Sequence, residues 1–220
     1  MKITTITTFA ELHSLLSQHW DSNYIYRGES STEYELRSSF GREQFRNQKN
    51  DISVEIGYFT QFKNQALPYI EFKPESDLDW LALAQHHGLK TRLLDWTRNP
   101  LAAAYFAVSD TQNFKDVVIY ILNFNTVNKI PHSTDPFRIT EDYIYLPKHV
   151  TRRIIAQAGM FTIHAKPSEI FDHPSLEKVI IKKEGKIDIK VTLDTYNVNQ
   201  YSLFPGLEGL SAKLTGDWMR

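Results

Sequence analysis

Apolar positions fall into helical spacings in the first half of the chain and into alternating or continuous runs later. Residues 3–6 are short and β-prone. Thr8 and Glu11 stand at capping-box spacing, with Phe9, Leu12, Leu15 and Leu16 behind them, which predicts a helix to about Gln18. Residues 23–26 predict a short strand ending at Arg27 and Gly28. A polar, irregular segment follows over 29–37, then a mixed basic one with Arg37, Arg42 and Arg46. From Ile52, the positions Ile56, Phe59 and Phe62 keep a helical period toward Leu67, and Pro68 and Pro74 bound its end.

The stretch 80–108 is the densest run of unusual residues. Ser76 and Asp79 have capping spacing, and Leu78, Leu81, Ala82 and Gln85 share one helical face. Gly88 is the expected residue just past that helix. Residues 89–96 cross as an extended or irregular segment. Asn99 and Pro100 start a second helix as N-cap and first-turn proline. Leu101, Ala104, Tyr105 and Val108 give it a buried side, and Ala102, Ala103, Ala104 and Ala107 let a neighbour approach closely. The continuous apolar run 117–124 predicts a buried strand. Residues 125–145, with Pro131 and Pro136, read as a lid or covering loop. A short helix is expected over 149–157 and a strand over 160–164. Residues 178–183 and 186–193 predict a hairpin turning at Glu184 and Gly185, because Ile187, Ile189, Val191 and Leu193 alternate with polar residues. A short helix over 205–214 closes the chain. Helices followed by strands predict an α+β fold rather than a βαβ parallel one.

Composition narrows the possible chemistry. A length of 220 residues fits one domain, 1–220, and an apolar fraction of 41% can fill its core. A net charge of -1 means that any nucleic-acid contact comes from a local patch. The absence of cysteine removes disulfides, thiolate zinc sites and cysteine nucleophiles, and fits a cytoplasmic location. No apolar run approaches the ~18 residues of a membrane span, so no membrane association is expected. The first residues lack a signal-peptide pattern. No glycine-rich phosphate loop, zinc-binding histidine spacing or serine-hydrolase elbow is present. His86 and His87 are adjacent on a helix and point about 100° apart, so no metal site is expected there.

The remaining candidates are polar residues at element ends. His86, Thr91, Arg92, Asp95, Trp96 and Thr97 sit between two apolar helices, as in a built site. Arg92 and Asp95 serve equally well as a buried ion pair that pins the loop. Arg27 has the forked geometry to clamp a phosphate, with Gly28 permitting close backbone approach, or it marks a surface turn. Thr97 precedes a helix start that favours an anion, or it caps that helix. Gln157 can orient a ribose hydroxyl or tie down a turn. Glu208 is a late acid in a distinctive setting, or a solvated helix residue.

Taken together, these residues resemble the FRG-domain family, named for an aromatic-Arg-Gly motif, here Tyr26, Arg27 and Gly28. The resemblance continues through 85–88, 91–97, 99–101 and 104–107, then Arg153, Gln157, Gly159 and Phe161, and finally 203–210. A second resemblance, to ADP-ribosyltransferases, rests on the strand with aromatic-Arg-Gly and the later strand-to-helix threonine. It implies a split, mostly antiparallel sheet flanked by helices, with NAD bound as a substrate. Arg27 would meet the NAD phosphates and Thr97 the nicotinamide ribose, with Tyr26, Gly28, His86, Arg92 and Asp95 completing the cofactor site. The strand-borne glutamate of that class has no clean match, which leaves Gln157 and Glu208 as candidates for its role. The implied activity is toxin-like ADP-ribosylation of nucleic acid, RNA above all, or of protein, in phage defence or beside an antitoxin protein. The alternatives are a nucleic-acid-binding or nucleotide-processing protein using Arg37, Arg42, Arg46, Arg92, Arg152 and Arg153, and a non-catalytic interaction domain.

Overall fold

The computed structural model describes residues 1–19, 21–42, 52–70, 73–110, 112–148 and 152–218. Strand β1 (Lys2–Ile6) leads into helix α1 (Phe9–Leu16), where the Thr8 hydroxyl and the Glu11 carboxylate form the expected capping box. Strand β2 (Tyr24–Glu29) precedes α2 (Ile52–Ala66) and α3 (Asp77–His86). Ser76 caps α3, and Gly88 ends it at φ +91°. Strand β3 (Leu93–Thr97) then feeds α4 (Pro100–Val108), whose first N–H groups are taken by the Asn99 side chain. Next come β4 (Val117–Asn123), β5 (Tyr143–Tyr145), α5 (Arg152–Ala156), β6 (Gly159–Ile163) and β7 (Leu176–Ile181). The chain closes with α6 (Lys186–Thr195), α7 (Gln200–Leu203) and α8 (Leu207–Trp218).

The strands form one seven-stranded sheet in the order β1-β7-β4-β2-β3-β6-β5. The β1–β7 pair is parallel and every other pair in the sheet is antiparallel, so the fold is α+β as expected. Tyr26, Ile119 and Ile121 pack under α1, α4 and α6 on one half of the sheet. Leu93, Phe161 and Ile163 on the same face meet α2 and α3. The opposite face, with Ile25, Val118, Tyr120, Leu94 and Trp96, is covered by Leu36, Val127 and Phe171 from loops. Among the described residues no helix is long and apolar enough to cross a membrane.

The sheet is continuous rather than split as the resemblance to ADP-ribosyltransferases implies, but it narrows to a seam between β2 and β3. β2 and β3 share a single register pair, Tyr26 with Thr97. Beyond it, the Asp95 carbonyl accepts from Arg27 Nη1 at 2.7 Å. A side chain thus occupies a carbonyl that a neighbouring backbone N–H would otherwise meet.

Two sequence expectations give way. Arg27 and Gly28 lie inside β2, not at its end, paired with Tyr120 and Ile119 of β4. The segment 186–193 is helical, because β7 already has β1 on one edge and β4 on the other and leaves no edge for a hairpin partner. Ile189 and Leu193 keep the inward face at i, i+4 spacing, while Ile187 and Val191 turn to solvent. Residues 149–151 of the helix expected over 149–157 lie outside the described residues.

The alanines of α4 do admit a close neighbour, and that neighbour is Gly28. A Cβ on Gly28 would stand 1.9 Å from the Ala103 carbonyl oxygen and 2.7 Å from the Ala107 nitrogen. Gly28 therefore holds the fold together, rather than merely sparing room for a bound phosphate. Gly28→Ala should destabilise the protein by at least about 3 kcal/mol and lower its melting temperature by roughly 6–12 °C. An unchanged melting temperature would show that α4 does not sit directly on β2.

Candidate functional site

A cleft of about 480 Å³ opens at the β2–β3 seam. Tyr26, Arg27, Gly28 and Glu29 line it from β2, and Asp95 and Thr97 from β3. Gln85 and His86 enter from the end of α3, and Phe106 from α4. Arg153 on α5, Gln157 just after it and Phe161 on β6 complete the wall. The strands and helix ends thus bring one arginine–carboxylate pair and several aromatic rings to one place.

Arg27 is the centre of the polar network. Its Nε donates to Glu29 Oε1 at 2.8 Å, and its Nη2 stands 2.6 Å from the same oxygen. With Nη1 on the Asp95 carbonyl, three of the guanidinium N–H groups are engaged, which leaves about two for a ligand. Gln85 Nε2 donates to Asp95 Oδ2 at 2.9 Å, and the Gln85 amide oxygen accepts from the Thr91 hydroxyl. Burial first, then the neighbouring His87 and Arg153, lowers the His86 pKa, so its ring is neutral at pH 7. Burial pushes the Tyr26 hydroxyl up to about 12, which keeps it protonated. Arg153 lies over the Phe204 ring, 4.4 Å from its centre.

The other sequence candidates divide between cleft and core. Thr97 reaches the cleft, but its hydroxyl donates to the Gln157 carbonyl and accepts from the Asn99 N–H at 2.9 Å, so it fixes the turn before α4 while the helix cap itself is the Asn99 side chain. Gln157 also lines the cleft, while its Nε2 holds the Leu203 carbonyl at 3.1 Å. Arg92 does not line the cleft. It is buried at 1% exposure and forks onto Glu55, with Nη2 to Oε2 at 2.7 Å and Nε to Oε2 at 3.0 Å. Its Nη1 donates to the Pro136 carbonyl, and Phe137 lies against it, so the 125–145 segment covers this pair and not the cleft. Burial raises the Glu55 pKa, against the pull of Arg92. Asp95 is exposed and belongs to the Arg27 and Gln85 network, so the ion pair weighed for Arg92 and Asp95 is replaced by Arg92 with Glu55. Glu208 is an exposed residue of α8 and does not line the cleft.

Of the six arginines considered for phosphate binding, Arg37 pairs with Glu35 at 2.8 Å and Arg46 lies outside the described residues. Glu29 was missed in the sequence. It is the acid two residues beyond Arg27, so strand alternation puts both on the same face, and that spacing was its only signal. Among the described residues no group of three or more His, Asp or Glu side chains could hold a metal ion.

The aromatic-Arg-Gly strand, the Gln85–Asp95 link and the capped alanine helix are therefore parts of one cleft. Residues 22–116 match the family model of the FRG domain. The match takes in 26–28, 85–88, 91–97, 99–101 and 104–107, while Arg153, Gln157 and 203–210 lie beyond it. No match was found among curated proteins or among solved structures.

The Arg92–Glu55 pair gives a test of core against site. Arg92→Ala strands a buried carboxylate and should cost about 3–5 kcal/mol of stability. Arg92→Met combined with Glu55→Leu should recover most of that loss in urea unfolding. Equal instability of the single and double variants would mean that the pair does more than neutralise charge.

Proposed function

We propose that the seam cleft binds NAD as a substrate and transfers its ADP-ribose to an acceptor. The observation that carries this reading is the Arg27–Glu29 pair on one strand, lining a cleft with Tyr26, Phe106 and Phe161. The cleft volume of about 480 Å³ falls within the range of small-molecule sites. The rings offer faces to a nicotinamide or an adenine. The free N–H groups of Arg27 suit a phosphate oxygen.

In this reading Glu29 takes the carboxylate role for which Gln157 and Glu208 were candidates. Breaking the bond between ribose C1′ and the nicotinamide nitrogen sends the electron pair to nicotinamide and neutralises its ring charge. Positive charge then develops on the ribose. A fixed carboxylate beside it stabilises that charge, and the cleft walls limit water. The acceptor nucleophile attacks C1′ and gives up its proton. Neutral His86 on the same wall is able to accept one. Gln157 and Thr97 hold the α5–β6 turn against the cleft. Phosphate meets the N–H groups of Arg27 that Glu29 and the Asp95 carbonyl leave open, so Glu29 stays held beside the ribose. The toxin-like role, with an antitoxin partner or in phage defence, follows from this activity as a proposal about its biological use.

The test is Glu29→Gln, which keeps shape and hydrogen bonding while removing charge. Incubation of the wild-type protein with NAD and with RNA, DNA or cell protein should release nicotinamide and add ADP-ribose, read by mass spectrometry. Glu29→Gln should slow this roughly a hundredfold or more at an unchanged fold. A variant as active as wild type, or a wild-type protein whose melting temperature NAD does not raise, would remove the proposal.

A further inference from the structure

A second, smaller cleft of about 260 Å³ adjoins the first. Arg27, Gln85, Gly88 and Asp95 line both, so the hydrogen-bonded bar of Gln85, Asp95 and Arg27 separates the two spaces. Their charges differ. The first cleft sets Arg27 and Arg153 against Glu29 and Asp95, two positive and two negative, for a balance of zero. The second sets Arg27, Arg42 and Lys90 against Asp95 alone, three positive and one negative, for a balance of two positive charges.

Its cations are available. Arg42 is half-exposed and reaches Glu29 only at 3.9 Å. Lys90 is exposed and has no salt bridge among the described residues. The carbonyls at this end of α3 do not cancel them, because Gln85, Leu83 and Ala84 already accept from the N–H groups of Gly88, His87 and Leu89.

We infer that the second cleft is the acceptor's entrance and that it takes the phosphodiester backbone of a single-stranded nucleic acid. This rests on the transferase reading of the first cleft. An acceptor atom must meet the ribose while the rest of its molecule stays outside, and the adjoining cleft shares the Arg27 wall where that meeting occurs. Every nucleotide of a strand has a phosphate beside it, so two exposed cations next to the reacting centre serve any acceptor base. An acidic side chain beside a protein acceptor would be present only by chance. With a whole-chain charge of -1, attraction to such a strand must come from this local wall.

The test reads binding without NAD, so its outcome is independent of whether transfer occurs. Fluorescein-labelled single-stranded RNA and DNA, about 12 nucleotides long, would be titrated with the protein by fluorescence anisotropy. The titration would be repeated at salt concentrations from about 50 to about 200 mM. The double variant Arg42→Glu, Lys90→Glu should bind either strand at least tenfold more weakly. Its log–log salt slope should be shallower by about 1.4, the share of two phosphate contacts. Unchanged melting temperature would confirm that the exposed substitutions leave the fold intact. No binding by wild type, or equal binding by the variant, would overturn the inference. So would an acidic peptide that binds as tightly as the strands with the same loss.

Discussion

The close approach of α4 to β2 is the constraint on which the cleft depends. The helix rests on strand backbone at Gly28, with Ala103 and Ala107 as its contact face. Any side chain at position 28 would lift it. The same helix begins at Asn99, whose side chain caps it directly after β3 ends at Thr97. The seam between β2 and β3 is therefore bracketed by one short helix, anchored at its start to β3 and along its length to β2. That arrangement brings the Arg27 side chain to the Asp95 carbonyl and sets Phe106 on the cleft wall.

The second support is the buried Arg92–Glu55 pair on the far side of β3. It ties α2 to the start of that strand through both backbone and side chain, since Glu55 also accepts from the Arg92 N–H at 2.8 Å. Pro136 and Phe137 close over it. Charge is thus spent in two different ways within a few residues. Arg92 is fully desolvated and paired for structure. Arg27, at the open seam, is paired with Glu29 yet keeps donors for a ligand.

Much of this was legible in local sequence. The capping pairs at Thr8 and Glu11, at Ser76, and at Asn99 with Pro100 name helix starts because their chemistry is complete within four residues. The run 117–123 announced the central strand because both its faces are buried. Tyr26, Arg27, His86, Asp95, Thr97 and Gln157 were picked out and do meet at one cleft. What failed depends on distant partners. Nothing near Arg92 says that its carboxylate is Glu55, 37 residues earlier. The alternation of 187–193 fits a strand, but Ile189 and Leu193 also fit one helical face, and only the filled edges of β7 decide between them. Glu29 went unread because a lone acid after Arg-Gly has no motif of its own. Its meaning comes from the seam.

The central claim is that the Arg27–Glu29 pair is where NAD engages the protein. It is tested most directly by NMR of the arginine Nε–H groups during an NAD titration. Arg92 serves as the internal control, because it is buried and paired away from the cleft. The account predicts that the Arg27 signal moves saturably as phosphate meets the open N–H groups of its guanidinium, while the Arg92 signal stays in place. An Arg27 signal that does not move at saturating NAD, or that moves only together with Arg92, would contradict it.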